Sequence, residues 1–401
     1  MAISVSTGKY DCIVAGGGVA GLMTAARLSE QGMSVALVEG ALLGSGSTTR
    51  NHGMVHSGAL YARWHPEVVG ACMQAQTAYR SSFPKLLAGT ETCWYIGSPA
   101  TMHTYDMLWR HHDMAQREVD PRELRDVLAV PDPLTVSAIE GHELLIDTHG
   151  LISELAARCV SSGVEVIVGT RVLRVLTHDG VVRGVETAAG VIDAANVVVC
   201  TGIGTRDVLE RSGSVVAPEL SSRLETMMAF PGELPCAIVG LEFGWPALAP
   251  CAAGGSVLAS RYGAPQRFVR GPARWPVPER EITELAGELS TWLRPGLIDT
   301  TAGVGWVCSK TEHLRGSSDQ WGTEPNYTLI DHGDRDGITG WWTVLPGKMT
   351  LALHASRATA AAVTGTEPRL GMRPHDRAAF GEVADLVDVS PWTAHTQAST
   401  R

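Results

Sequence analysis

Residues 11–39 read DCIVAGGGVAGLMTAARLSEQGMSVALVE. Asp11–Ala15 is a short apolar run, which predicts a buried strand. From Val19 to Gln31, Leu22, Ala26 and Leu28 recur at helical spacing, which predicts a helix. Ser34–Glu39 is a second apolar run. Strand, helix and strand together occupy about 30 residues, the size of a parallel crossover unit. Between strand and helix lies GGGVAG, in which Gly16, Gly18 and Gly21 form GxGxxG. Each part has a physical task. Gly16 permits a tight turn, Gly18 lets the backbone approach a pyrophosphate, and Gly21 lets helix and strand pack closely. Val19 and Ala20 open the helix, whose N–H groups and positive end face the phosphates. Glu39 ends the second strand, 18 residues after Gly21, and its carboxylate suits a ribose diol while repelling a 2′-phosphate. The stretch therefore predicts a dinucleotide site, without choosing between flavin and nicotinamide.

The whole chain has 401 residues, more than one average domain, with 44% apolar and 18% charged residues. That composition supports a sizeable core. The net charge is −10 and no Lys/Arg run appears, so nucleic acid is excluded as a partner. The eight cysteines form no CxxC pair and no zinc-type spacing, which predicts reduced buried thiols and no metal site. Met1–Tyr10 is too short and polar for a secretion signal, and no window approaches the roughly 18 apolar residues of a membrane span. The expected compartment is the cytoplasm.

Further along, the periodicity predicts helices at Pro66–Leu87, Leu151–Ser162 and Pro278–Leu293, and a short one at Pro121–Leu128 capped by Asp120. Thr90–Asp106 reads as strand-rich. Val164–Val168, Val172–Leu176, Val181–Thr187 and Val197–Cys200 read as strands, and Leu220–Ala259 as strand-like runs between Pro and Gly turns. His313–Glu324 reads as a surface loop. Leu345–Thr364 passes from a Pro-Gly break into an Ala-rich helix, and the tail beyond is expected to be loosely held.

Residues 40–68, GALLGSGSTTRNHGMVHSGALYARWHPEV, resemble the segment after the second strand in the glycine/D-amino-acid oxidase superfamily of FAD enzymes. The likeness is nearest to the glycerol-3-phosphate dehydrogenase and L-2-hydroxyglutarate oxidase branches. The Ser/Thr turn is Ser45–Thr49, the Asn/His–Gly segment Asn51–Gly53, and the HSG tripeptide His56–Gly58. Asp147–Ile152 with the following GVEVIVGTRVLRV, VVVCTGIGT at Val197–Thr205, and Ile338–Val363 resemble the family's other cofactor segments. The resemblance implies an α/β fold. A Rossmann-like, glutathione-reductase-type FAD domain would comprise residues 1–87, 144–213 and 325–368. An interleaved antiparallel-sheet substrate domain would comprise 88–143 and 214–324, with 369–401 as a C-terminal tail. Residues 88–143 and 214–300 carry no assignable motif.

As cofactor contacts the resemblance implies Gly16, Gly18, Val19, Ala20, Gly21, Glu39 and Gly40 at the nucleotide end. It adds Ser47, Thr48, Thr49, Arg50, Asn51, His52 and Gly53 from the second segment, and Val172, Thr201 and Gly202 from the third. Gly347, Lys348, Met349 and Thr350 complete the set at the ribityl chain and flavin. In sarcosine-oxidase-like members a cysteine before the last segment bonds to the flavin. Cys308 stands at a similar place, but a longer insert follows it, so non-covalent FAD is the expectation. Ala302-Gly303-Val304-Gly305-Trp306 puts Gly305 where glycerol-phosphate dehydrogenases carry an Arg, which argues against glycerol 3-phosphate. Trp306, Trp341 and Trp342 crowd these segments and suggest a larger or flatter substrate.

An alcohol oxidised by hydride transfer to flavin N5 also loses its hydroxyl proton, so it needs a base, whereas an amine binds deprotonated. His56 is the preferred base and His52 the second candidate. Arg50 and Lys348 would stabilise the reduced flavin or hold a substrate carboxylate. The expected reaction is oxidation of a small secondary alcohol (a 2-hydroxy acid, polyol or sugar-derived compound) to a ketone. The alternative is an amine or amino-acid oxidase forming an imine. The electron acceptor would be oxygen or a quinone or other carrier.

Overall fold

The computed structural model describes residues 9–129, 136–261, 267–269, 279–313, 326–373 and 380–392. Continuous apolar runs become central parallel strands, because such strands are covered on both faces. Tyr10–Ala15 pairs in parallel with Val35–Val38 on one side and with Gly190–Val199 on the other. Glu165–Ile167 extends the sheet beyond Val35–Val38, and Trp341–Leu345 extends it beyond Gly190–Val199. Thr328–Asp331 closes that edge antiparallel. The hairpin of Val172–His178 and Val181–Thr187 hangs from Gly190–Val199. The helices Val19–Glu30, Thr148–Ser161 and Ala352–Thr364 bury their apolar faces on one side of this eight-stranded sheet.

A second, nine-stranded sheet is built from Thr92–Gly97, Arg117–Glu118, Ser137–His142, four strands between Leu220 and Arg261, Arg267–Val269 and Val304–His313. It is antiparallel except where Thr92–Gly97 runs parallel to Ala237–Gly240. The chain thus has the mixed α/β fold that the sequence predicts.

Several elements depart from expectation. Thr90–Asp106 is only half strand: Ser98 accepts from the Thr101 N–H, Pro99 stands at the first helical position, and Pro99–His111 is a helix. This is a start signal of ordinary kind. Pro66–Leu87 is a helix only over Val69–Ser82, stopping before Pro84. The helix expected from Leu151 starts at Thr148, because Asp147 caps it through the Gly150 N–H. Asp120 caps Pro121–Val127 as expected, and the helix expected over Pro278–Leu293 is Glu279–Trp292. The loop expected at His313–Glu324 falls, after His313, outside the described residues.

The described part of the tail is packed rather than loose. The Arg27 guanidinium donates to the carbonyls of Arg369 and Leu370, Met372 N–H donates to Ser82 Oγ, and Val387 is buried. Trp392 stacks against Trp306. All eight cysteines are free thiols. Among the described residues no helix is long and apolar enough to cross a membrane, and no group of His, Cys, Asp or Glu could hold a metal ion.

Candidate active site

The glycine turn forms because only glycine fits it. Gly16 has φ +108°, and a Cβ there would stand 2.4 Å from the Cys200 carbonyl oxygen. A Cβ on Gly21 would stand 1.9 Å from the Gly16 carbonyl oxygen. The turn is pinned from outside. Glu39 accepts from the Gly17 N–H (2.7 Å) and the Ala41 N–H (2.9 Å), and Thr48 Oγ1 accepts from the Val19 N–H. Asn51 holds the Ser/Thr turn by donating to the carbonyls of Ser47 and Thr48, and its Oδ1 accepts from the Gly53 N–H. Thr49 Oγ1 donates to the Gly44 carbonyl.

One cavity of about 640 Å³ runs from this turn between the two sheets. Gly16, Gly18, Val19, Ala20, Glu39 and Gly40 line one end, with Val172, Thr201 and Gly202. Ser47, Thr48, Asn51, His52 and His56 continue the wall, and Gly347, Lys348 and Met349 face it. The structure thus brings the distant segments of the sequence reading into one place. Gly21, Thr49, Arg50, Gly53 and Thr350 lie behind the wall. Thr350 Oγ1 accepts the His56 N–H (2.9 Å), tying the last segment to the HSG tripeptide. Arg50 presents its carbonyl to Trp306 Nε1 (2.8 Å) and is not among the lining residues.

The three tryptophans do not shape the cavity. Trp306 packs on Trp392, Trp341 stacks on the buried His332, and Trp342 lies in the core under the first sheet. They are core, as large buried aromatics usually are.

The two histidines meet edge to face, with ring centroids 5.6 Å apart. Met54 N–H donates to His52 Nδ1 (3.2 Å), so a neutral His52 carries its proton on Nε2 and acts as a donor. Burial, then the positive fields of His52, Lys348 and Lys310, hold His56 well below the ordinary histidine range. His56 is therefore an unprotonated imidazole at neutral pH. Lys348 Nζ sits 3.9 Å over the Tyr61 ring, a cation–π contact beside it.

The far end of the cavity holds groups that no sequence motif marked. Arg223 and Lys310 are direct partners across two antiparallel strands, and Glu225 stands opposite Cys308. Side chains of opposed residues share a sheet face, and all four line the cavity. Arg223 is 3.1 Å from Glu225 and 3.4 Å from Glu312, and Lys310 pairs with Glu312. Burial alone would raise the Glu225 carboxyl, but Arg223, Lys310 and His52 outweigh it and hold it low. The signal was present: charges at alternate positions of otherwise apolar strands, Arg223/Glu225 and Lys310/Glu312. A charge on a buried strand face needs partners, yet which partners is a matter of register. The Cys308 thiol is pushed up to about 12, first by burial and then by Glu225.

These residues fit a flavin dinucleotide. The glycine turn excludes side chains where a pyrophosphate would lie, and one cavity of the size usual for a cofactor joins it to a pair of histidines and a lysine. A Rossmann-type turn of this kind, opening toward a second sheet that carries the polar groups, defines a dinucleotide-dependent oxidoreductase. The chain belongs to the FAD dependent oxidoreductase family DAO, whose model matches residues 11–342. It is an FAD-dependent enzyme of that family.

One subunit of the anaerobic glycerol-3-phosphate dehydrogenase of Escherichia coli is 24% identical over 380 residues, which are 87% of this chain and 66% of that relative. A Pseudomonas aeruginosa protein named Probable FAD-dependent oxidoreductase is 44% identical over 61 residues, 15% of each chain. The chain thus spans less than two thirds of either relative. Among solved structures, the open form of NikD, an unusual amino acid oxidase essential for nikkomycin biosynthesis, superposes with TM-score 0.74 at 16% identity, covering 93% of this chain and 97% of that one. Glycine oxidase from Geobacillus kaustophilus superposes with TM-score 0.70 at 16% identity, covering 93% and 98%. At such identity the likeness is one of fold.

Proposed function

We propose that the protein oxidises a small secondary alcohol to a ketone, and that a 2-hydroxy acid is the best-fitting class. The observation that carries this is His56, an unprotonated imidazole on the cavity wall facing the same space as Arg223 and Lys310. An alcohol needs that base; an amine does not. When bound, FAD supplies the acceptor for the hydride at its N5. His56 takes the hydroxyl proton as the carbon–hydrogen bond breaks. His52, donating from Nε2, steadies the oxygen. Lys348 and Lys310 favour negative charge developing nearby. Arg223 and Lys310 receive the substrate's anionic group, and the surrounding sheet keeps water out. A polyol or sugar-derived alcohol would use the same base with Glu225 as a hydroxyl acceptor. An amine or amino acid would set its ammonium against Glu225, the second reading. Anaerobic flavin reduction with parallel panels of 2-hydroxy acids, polyols and amines separates these. Reduction by amines alone sinks the alcohol reading.

Arg223→Ala should raise KM for an anionic substrate by roughly tenfold to a hundredfold, as loss of a charged hydrogen bond does, while kcat changes far less. An anionic substrate that reacts equally well with both forms would remove Arg223 from the binding role. Acid precipitation of the holoenzyme should leave the yellow colour in the supernatant. Cys308 is held as a thiol, and the thiolate is the nucleophile. Colour in the pellet would establish a covalent link. Oxygen or a quinone-type carrier takes the electrons onward. Turnover in air, with and without an added quinone, distinguishes them.

A further inference from the structure

Behind His56, away from the cavity, lies a carboxylate that the reaction as drawn does not use. Glu143 follows the strand Ser137–His142 and is 1% exposed. Its backbone N–H is fixed to the Glu91 carbonyl (2.8 Å). Its side chain accepts three hydrogen bonds: from the Ser57 N–H (2.7 Å), from Ser57 Oγ (2.9 Å) and from the Tyr95 hydroxyl. A buried carboxylate so fully satisfied is held in one place. That place is 3.9 Å from His56 Nδ1. The imidazole is fixed as well, by the His56 N–H on Thr350 Oγ1 and by edge contacts with His52 and Tyr61. The tripeptide His56–Gly58 therefore faces the cavity with one residue and grips Glu143 with the next.

We propose that Glu143 is the positioning residue for His56: its carboxylate keeps the proton of the neutral imidazole on Nδ1, leaves Nε2 as the proton acceptor, and favours the imidazolium once a proton arrives. At 3.9 Å the effect is electrostatic rather than a direct hydrogen bond. In a dry interior a charge at that distance outweighs the small intrinsic difference between histidine tautomers. The inference rests on the reading of His56 as the base. Burial pushes the Glu143 carboxyl up to about 7, against the pull of Tyr95 and Ser57. The groups around it do not titrate near that pH: burial pushes up the phenols of Tyr61 and Tyr95 and the thiols of Cys72 and Cys93. His56 itself is faced by His52, Lys348 and Lys310, and all three lower it. Acidification through neutrality therefore removes the Glu143 charge while His56 is still neutral.

The test uses the FAD-loaded full chain with ¹⁵N-labelled histidine. Ring nitrogen resonances report the His56 tautomer directly, without substrate. The wild type should show Nδ1 protonated and Nε2 bare. Glu143→Gln should move His56 toward the Nε2–H form. It should also slow single-turnover flavin reduction by roughly tenfold, as loss of a supporting partner does, and abolish the inflection near neutral pH. Tyr95→Phe keeps the carboxylate and removes one donor, so the inflection should move to higher pH. An unchanged tautomer in Glu143→Gln, or an inflection unmoved in Tyr95→Phe, overturns the proposal. If His56→Ala reduces its flavin normally while the tautomer still follows Glu143, the base assignment fails and the positioning role stands.

Discussion

His56→Ala retains its FAD and loses flavin reduction by substrate, by about 10²- to 10⁴-fold, the usual contribution of a positioned base. Cofactor retention is expected because the glycine turn, Glu39 and the Ser/Thr turn make no side-chain contact with the imidazole. Anaerobic stopped-flow reduction, with bound flavin quantified by absorbance, reads both halves. A normal reduction rate would remove His56 from the base role. The pH profile has a definite sign. The active form is the neutral imidazole, and its conjugate acid lies well below the ordinary 6.5. The base is therefore intact at and above neutrality and is lost only on acidification. An inflection nearer neutrality belongs to Glu143. His52→Ala should be milder, because its Nδ1 is already an acceptor for the Met54 N–H and its remaining nitrogen is a donor.

Gly21→Ala yields protein without flavin and with lowered thermal stability. The added carbon would stand 1.9 Å from the Gly16 carbonyl oxygen, a backbone atom that no rotamer change relieves. Helix and strand must separate, at a cost of about 1–3 kcal/mol or more for overpacking of this kind. Separation opens the turn that cradles the pyrophosphate. Gly18→Ala is the informative contrast. Its Cβ would meet only Thr48 Oγ1, at 3.3 Å. That variant should fold with near-normal stability and bind FAD more weakly, because the obstacle faces the ligand. Flavin content per chain and a melting curve separate the two. Full flavin in purified Gly21→Ala would contradict the assignment of this turn.

Much of the cofactor half is legible in the sequence because its determinants are local. The strand, the glycines, the helix and Glu39 lie within one short stretch, and each meets its partners across a few residues. The Ser/Thr turn and His56–Gly58 are legible as well. Other segments mislead for physical reasons. Thr90–Asp106 reads as strand when its apolar residues are weighed and the Ser98-Pro99 helix start is not. The tryptophans neighbour the site in sequence, yet their rings turn into the core.

The sequence by itself determined the dinucleotide cradle, the parallel sheet around it and the histidines set against it, since those features depend on spacing along a continuous segment. Only the tertiary structure decided what surrounds the reacting end. Arg223 meets Lys310 because two strands pair in one register, and a slip of one residue would turn both side chains to the opposite face. Glu143 reaches Ser57 across 86 positions, and Arg27 captures the tail across 342. Such contacts cost the entropy of closing long loops. They form only once the whole chain has condensed, so no local pattern announces them.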